Sequence, residues 1–425
     1  MAPPHSETGS PGQRSAKFAI LQHRNFRYYW LGTIFSNVGE HIENVIRNWL
    51  IWELTHSVFW LMVMVFMHWI PFTLLSIPAG SIAERVDRKR LILWMEVGQC
   101  IAALGMFALT YLGIMDQYWM SALLILHSVT GALSNPARQL FLHDMVGREL
   151  LLSGIALTSS LRFATQSVGK PIGGFILLAF GASAGFFANA LAYLPMILAL
   201  VTVIRVAQRS APRKRRALEE FKQGVKQITS DRSMFATLCV AIAPSVLVGN
   251  GFDPFLVIYA DTILGMGAKG YTYFITAMGI GAVVAVLILS AIGNVQWKGR
   301  MVIIGIFGFS LCMVAFALSR SLIPSLIFLF LLGFFQVTYS TSANAMLLEN
   351  VPWEMRGRVM GIYNFANLGL RVFNGPFFTL LNKLALLAAA GAFATSAMTL
   401  TAAAASVALL TFGFMVFAPN LGKQR

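Results

Sequence analysis

Long apolar runs, broken by short polar or Gly/Pro-containing punctuation, fill almost the whole of this chain after its first two dozen residues. The runs fall at 25–52, 57–80, 90–113, 118–140, 149–179, 184–205, 234–261, 270–292, 299–318, 322–346, 354–382 and 388–418. Most have the roughly twenty residues that a helix needs to cross a bilayer core, so the pattern predicts twelve transmembrane helices. The first, seventh and eleventh carry so many polar residues that hydropathy alone passes over them. An internal repeat recovers them. At a shift near 205 to 210 residues, Pro171 falls on Pro376, and Val146-Gly-Arg-Glu149 falls on Val351-Pro-Trp-Glu354. Likewise Gly80, Arg88 and Arg90 fall on Ser290, Lys298 and Arg300, and Glu43 falls on Asp253. Six helices per repeat bring both halves in from the same side, which predicts two pseudo-symmetric six-helix bundles. The expected organisation is a disordered cytoplasmic tail at 1–24, bundles at 25–206 and 233–419, a basic linker at 207–232 and a short tail at 420–425.

Composition agrees with a lipid solvent. Hydrophobic residues make up 57% of the 425, charged residues only 12%, and the mean hydropathy is +0.69, where a soluble chain is about one quarter charged. A net charge of +15 raises the question of nucleic acid, and the distribution of that charge answers it. Twenty-five Lys and Arg lie on the termini or on alternate loops, against three (Lys269, Arg320 and Lys383) on the opposite loops. Cytoplasmic loops carry such an excess. We therefore expect both termini in the cytoplasm, an inner-membrane location and no nucleic-acid partner. Within the linker, Arg213-Lys-Arg-Arg216 precedes an amphipathic stretch at 218–228 suited to an anionic membrane surface. The first twenty residues lack the apolar core of a signal peptide. Cys100, Cys239 and Cys312 each sit inside an apolar run, which predicts small buried hydrophobes rather than a disulfide or metal framework. No Gly-x-x-x-x-Gly-Lys-(Ser/Thr), His-Glu-x-x-His or Gly-x-Ser-x-Gly run occurs, so neither ATP hydrolysis nor the enzyme classes those motifs carry is expected, and no cofactor is implied.

The segment Gly80-Ser-Ile-Ala-Glu84-Arg85-Val-Asp87-Arg88-Lys89-Arg90 resembles the loop between the second and third helices of the major facilitator superfamily of transporters. Glu84 stands where that family usually has Asp, and Asp87 where it often has Gly. Four further stretches look like the branch that contains the enterobactin exporter and related drug exporters. They are Asn25-Phe-Arg-Tyr-Tyr-Trp-Leu-Gly, Pro136-Ala-Arg-Gln139, Val146-Gly-Arg-Glu-Leu-Leu-Leu-Ser-Gly-Ile-Ala and Arg356-Gly-Arg-Val-Met-Gly361. The resemblance implies proton-driven export of amphipathic or siderophore-like molecules. Gly169-Lys-Pro-Ile-Gly-Gly174 is similar to the fifth-helix motif of superfamily antiporters, with Lys170 in the usual Pro position.

Charged residues deep in spans mark the candidate chemistry, since each costs about 2.5–3.5 kcal/mol at the bilayer centre and should face a cavity or a partner. Ser36, Glu40, Glu43 and Arg47, spaced by four, three and four, share one face of the first helix, flanked by Asn37 and Asn44. A carboxylate beside a movable cation can change protonation as helices shift, so Glu40, Glu43 and Asp253 are the proton-coupling candidates. Glu43 and Arg47 could simply neutralise each other, which leaves Glu40 the freer carboxylate, while pseudo-symmetry with Asp253 favours Glu43. Arg162, Gln166 and Lys170 line one face of the fifth helix, and Asn364, Asn367, Arg371 and Asn374 recur on the eleventh. Together with Asn250, Gln336 and Tyr339 they predict a cavity for an anionic or hydrogen-bonding substrate, unless the arginines pair with the carboxylates. His68 and His127 read as hydrogen-bonded core residues. The segment from Gly80 to Arg90, with Glu84, Arg85, Asp87, Arg88 and Lys89 between, is the candidate gate, pairing within itself or with Arg356 and Arg358 of the other bundle.

The sequence therefore predicts an all-α membrane transporter, functional as a monomer, whose partners are the bilayer, protons and a small-molecule substrate. Import, flipping of a lysophospholipid-like amphiphile, or a receptor role without transport are the alternatives on the same fold.

Overall fold

In the computed structural model, the structure describes residues 20–206, 226, 232–292, 297–349, 362, 369–388 and 391–417, all helix, turn or short connection. Residues 1–19 and 418–425, nearly all of the linker, and Asn364, Asn367, Arg356 and Arg358 lie outside the described residues, while Ile20–Gln22, expected in the disordered tail, form a 3₁₀ turn with Ile20 buried. The first helix, α1 (Arg24–Thr55), crosses without interruption despite its polar stripe, and α2 (Val58–Arg85) and α3 (Arg88–Tyr111) follow after turns of a few residues. A continuous helical run, Gln117–Leu198, is broken only where Gly147 (φ 73°) and Gly181 (φ 81°) take left-handed backbone. Glycine adopts that conformation without steric strain, so these two positions divide the run into α4 (117–146), α5 (148–180) and α6 (182–198).

The predicted seventh helix is two pieces, α7 (Arg232–Leu247) and α8 (Asp253–Ile258), separated by a turn at Gly249–Gly251. The carbonyls released by the break are taken up by Asn374 Nδ2, which donates to Val246 O and, at 3.4 Å, to Ser245 O. That side chain belongs to α12 (Asn374–Ala388), entered through a 3₁₀ turn at Leu370–Phe373. Between them run α9 (Gly267–Ile292), α10 (Lys298–Leu318) and α11 (Leu322–Glu349), and α13 (Ala392–Phe417) closes the described chain. Seven stretches among the described residues are long and apolar enough to cross a membrane. The polar α1 and the broken α7–α8 are not among them, as the hydropathy pattern anticipated.

Helices α1–α6 pack on one another, and α7–α13 do likewise. Phe26, Tyr29, Phe141 and Met196 fill one end of the first group. In the second, Phe316 meets Phe252 and Phe274 edge-on and the tilted ring of Tyr259 at 4.7 Å, and Tyr259 donates its hydroxyl to Ala317 O at 2.5 Å. Large exposed side chains such as Leu74, Trp94, Phe175, Leu287 and Leu311 cover the outside, as expected of a lipid-facing surface.

The two groups meet on the side of the turns near 56 and 265. There Trp52 Nε1 donates to Asp261 Oδ2 at 2.8 Å, Trp49 stacks on Tyr271 at 6.3 Å, and Thr272 Oγ1 donates to Gly174 O at 3.2 Å. Small residues let backbones close in: a Cβ on Gly375 would lie 2.6 Å from Met62 O, and one on Gly279 2.7 Å from Ser167 O. Toward the basic segments α5 becomes more exposed. Along one face of α5, Lys170 is buried, Gln166 is half-buried and Arg162 is exposed.

Candidate functional site

The polar stripe of α1 enters two separate buried networks. Glu43 is fully buried and forms an ion pair with Arg47, Oε1 to Nη1 at 2.6 Å. Its other oxygen accepts from Asn189 Nδ2 of α6 at 2.9 Å and lies 3.4 Å from His127 Nε2 of α4. His127 Nε2 is also 2.8 Å from the Tyr193 hydroxyl. Two helical turns away, Ser36 donates instead to Glu96 of α3 at 3.0 Å, and Glu96 pairs with Arg138 of α4. Arg138 Nε is held by Ser134 at 3.0 Å. Glu40 is half-buried and makes no ion pair among the described residues, and Asn37 is half-buried. Glu40 thus remains the carboxylate without a cationic partner, while Glu43 is held by three side chains.

Asp253 sits where helix resumes after the break and pairs with Lys170 of α5, Nζ to Oδ2 at 2.7 Å, both side chains about nine-tenths buried. This ion pair bridges the two helical groups. The carboxylates of Glu43 and Asp253 therefore take Arg47 and Lys170. Neither Arg162 nor Arg371 pairs with them. Arg371 donates from Nε to Ser245 Oγ at 2.8 Å and spreads its guanidinium over the Trp69 ring at 5.0 Å. Cation–π contact of this kind holds a guanidinium without neutralising its charge.

Gln336 is half-buried, and Tyr339 is buried with its ring edge-on to Phe309 at 5.8 Å, within the second helical group. The side chain of Asn250 and the whole of Asn367 lie outside the described residues.

The predicted gating segment is shorter than its sequence suggested. Gly80 does not end α2, because one glycine inside an apolar helix lowers helix stability without breaking it, and the helix runs on to Arg85. Asp87 caps α3 by accepting from the Arg90 backbone N–H at 3.0 Å, with the Arg90 side chain 3.9 Å from the same carboxylate. Arg88 is buried and pairs with Asp144 of α4, also donating to Ala83 O at 3.3 Å. Among the described residues neither Glu84 nor the exposed Arg85 forms an ion pair, and Lys89 is half-buried.

Sequence reasoning passed over Glu96, Asp144, Asn189, Tyr193 and Asp261. An acid within the apolar run of the third helix was a signal for Glu96. Asp144 was obscured because the fourth helix was expected to stop at 140. It continues to the Gly147 break, which carries Asp144 into the bundle and onto Arg88.

Residues 15–417 match the family described as transmembrane secretion effector. The chain is similar to the Staphyloferrin A transporter of Staphylococcus aureus (strain NCTC 8325 / PS 47), 23% identical over 79% of this chain and 84% of that one. It is also similar to the Enterobactin exporter EntS of Shigella flexneri, 24% identical over 82% and 83%, and to the Putative bacilysin exporter BacE of Bacillus subtilis (strain 168), 23% identical over 70% and 74%. Among solved structures, a bacterial homolog to the human lysosomal transporter Spinster covers 98% of this chain and 99% of its own at a TM-score of 0.69 and 14% identity. The nucleoside transporter NupG covers 92% and 98% at 0.67 and 11% identity.

Proposed function

Because the chain belongs to the transmembrane secretion effector family of the major facilitator superfamily, we propose that it is a proton-driven exporter of an amphipathic small molecule, working by alternating access across the cell inner membrane. The observation that carries this reading is the buried Lys170–Asp253 ion pair between the two helical groups. A dry ion pair across a moving interface is bistable: a proton on Asp253 removes the charge that holds Lys170, and the groups can then part. Siderophore and antibiotic exporters among the relatives support a siderophore or drug-like substrate. With the basic segments in the cytoplasm, the rising exposure of α5 from Lys170 to Arg162 marks the cytoplasmic entrance, and the Trp52–Asp261 contact closes the outer end. The bundles extend over 25–206 and 233–419, with Glu40 and Asp253 as the proton-handling carboxylates and Glu43 as the buried anion of the N-terminal network.

In proteoliposomes with an imposed pH gradient, a transported siderophore or amphipathic drug should move against its own gradient, and adding it should draw protons the opposite way. Substrate movement with no accompanying proton movement would overturn the coupling.

Arg371 supplies the substrate-facing charge in this reading, because a planar guanidinium fork suits a carboxylate or other anionic group of a substrate. Arg371→Ala should weaken transport of an anionic substrate about tenfold more than that of a neutral amphiphile of similar size, a difference of about 1.4 kcal/mol. Equal loss for both would assign Arg371 to packing on Trp69 alone.

A further inference from the structure

Three side chains touch the Glu43 carboxylate, and each carries one further polar atom that is buried without a hydrogen-bond partner: Arg47 Nε, His127 Nδ1 and Asn189 Oδ1. They come from α1, α4 and α6 respectively. Buried polar atoms in folded proteins are nearly always satisfied by protein or by water, so three such atoms around one carboxylate mark a polar exchange point. Their chemistry restricts the occupant. Arg47 Nε–H only donates, Asn189 Oδ1 only accepts, and a ring nitrogen of neutral His does one or the other. Water or hydronium, which can donate or accept, suits each of them.

We propose that His127 is a proton-carrying residue of this transporter, binding the proton at Nδ1 while Nε2 stays between Glu43 and Tyr193. This rests on the proton-driven reading above. The choice of imidazole over carboxylate follows from which positions are open. Glu43 Oε1 is taken by Arg47 at 2.6 Å, and Oε2 by Asn189 at 2.9 Å with His127 Nε2 at 3.4 Å. Each carboxylate oxygen thus already accepts from an N–H donor, whereas His127 Nδ1 is buried with no hydrogen-bond partner among the described residues. With Nε2–H directed at the Tyr193 and Glu43 oxygens, Nδ1 presents its lone pair. The step is then a transfer from hydronium to Nδ1: one N–H bond forms, one O–H bond breaks, water remains, and the ring becomes imidazolium.

The surrounding charges accommodate the product. Glu43 and Arg47 face it from α1, with Glu40 one turn away. His68 of α2 bonds Ser128, the neighbour of His127, at 3.3 Å. Glu96 of α3, paired with Arg138 of α4, and the Tyr193 hydroxyl of α6 complete the set. Protonation places Glu43 between two cations, so its hold on Arg47 weakens, and the guanidinium becomes available to the cavity.

The test compares wild type, His127→Gln and Tyr193→Phe as full-length protein in proteoliposomes. His127→Gln should cut substrate-linked proton movement about tenfold or more. Tyr193→Phe, which keeps the imidazole and frees its orientation, should retain proton movement with a shifted pH profile. Acid-minus-neutral infrared difference spectra of the wild type should show an imidazolium band that His127→Gln removes. An acid-induced carboxyl band lost in Glu43→Gln and kept in His127→Gln would overturn the proposal, as would proton movement retained by His127→Gln. If the wild type moves substrate and no protons, the coupling reading itself fails, and this inference fails with it.

Discussion

Asp253→Asn should abolish transport driven by a pH gradient while the protein still inserts and folds. The substitution keeps the side-chain shape and removes only the charge that Lys170 meets at 2.7 Å across the interface of the two helical groups. A buried ion pair is weak grounds for stability as a whole, yet removing one partner strands the other charge at roughly 3–5 kcal/mol. If the pair exists in one access state only, a loss of that size shifts the balance between states by more than about a hundredfold. Lys170→Met should then move the balance in the same direction, which labelling of a cysteine placed at Ala164, an exposed position on α5, reads directly. The decisive variant is the double one. Lys170→Met with Asp253→Leu strands neither charge, so it should recover the thermal stability lost by either single change. It should still fail to couple. A double variant that transports substrate against its gradient would reduce the pair to a structural contact, and the proton would have to be sought at His127 or Glu40.

How much of this was legible in the sequence depends on the length scale of the signal. Helices long enough to span are one-dimensional features, and among the described residues most apolar runs fall on them, including the break between α5 and α6 at Gly181, although the fourth ran on past its expected end and the seventh proved to be two pieces. The polar stripe of α1 was also legible, because helical periodicity alone places Ser36, Glu40, Glu43 and Arg47 on one face. What periodicity cannot give is the partner on another helix. Ser36 and Glu43 share a face, yet Ser36 bonds Glu96 of α3 and Glu43 bonds Asn189 of α6. Two turns of helix separate two networks that the sequence presents as a single stripe. The i, i+4 pairing of Glu43 with Arg47 was foreseeable because it is local. Lys170 with Asp253, 83 positions apart, was not, although both residues were singled out.

The departure of Lys170 from the fifth-helix motif acquires a physical meaning in the structure. The residue occupies the place where the motif usually has proline, and its neighbour Pro171 packs against Gly279 of the other helical group. Helix-bending chemistry is therefore displaced by one residue, and the vacated position carries a cation that reaches Asp253. In the N-terminal repeat the corresponding carboxylate, Glu43, finds its cation on its own helix instead. The two halves share a repeat and differ in what their carboxylates hold together: one pair tightens a bundle, and the other joins the two.

Arg88→Ala should destabilise the protein severely, whereas Arg85→Ala, three residues away in the same basic segment, should leave its melting unchanged. Arg88 is buried, with its guanidinium on Asp144 and its Nε on Ala83 O, so it ties the start of α3 to both α2 and α4. Asp144 is buried as well. Truncating Arg88 leaves that carboxylate without its cation at roughly 3–5 kcal/mol, and Arg88→Lys should rescue only part of it, because a point charge cannot replace a forked donor that serves two acceptors. Asp144→Asn should be damaging for the reciprocal reason. Arg85 ends α2 in an exposed position and makes no ion pair among the described residues. Whatever it contributes must appear in the access equilibrium rather than in stability, so cysteine labelling on the two faces is the measurement for Arg85, and thermal unfolding in detergent is the measurement for Arg88. If Arg88→Ala melts with the wild type and shifts the labelling instead, Arg88 is part of a moving latch. If it melts early with labelling unchanged in the surviving fraction, the segment works as a brace within one bundle, and gating in this transporter belongs to the contacts between bundles.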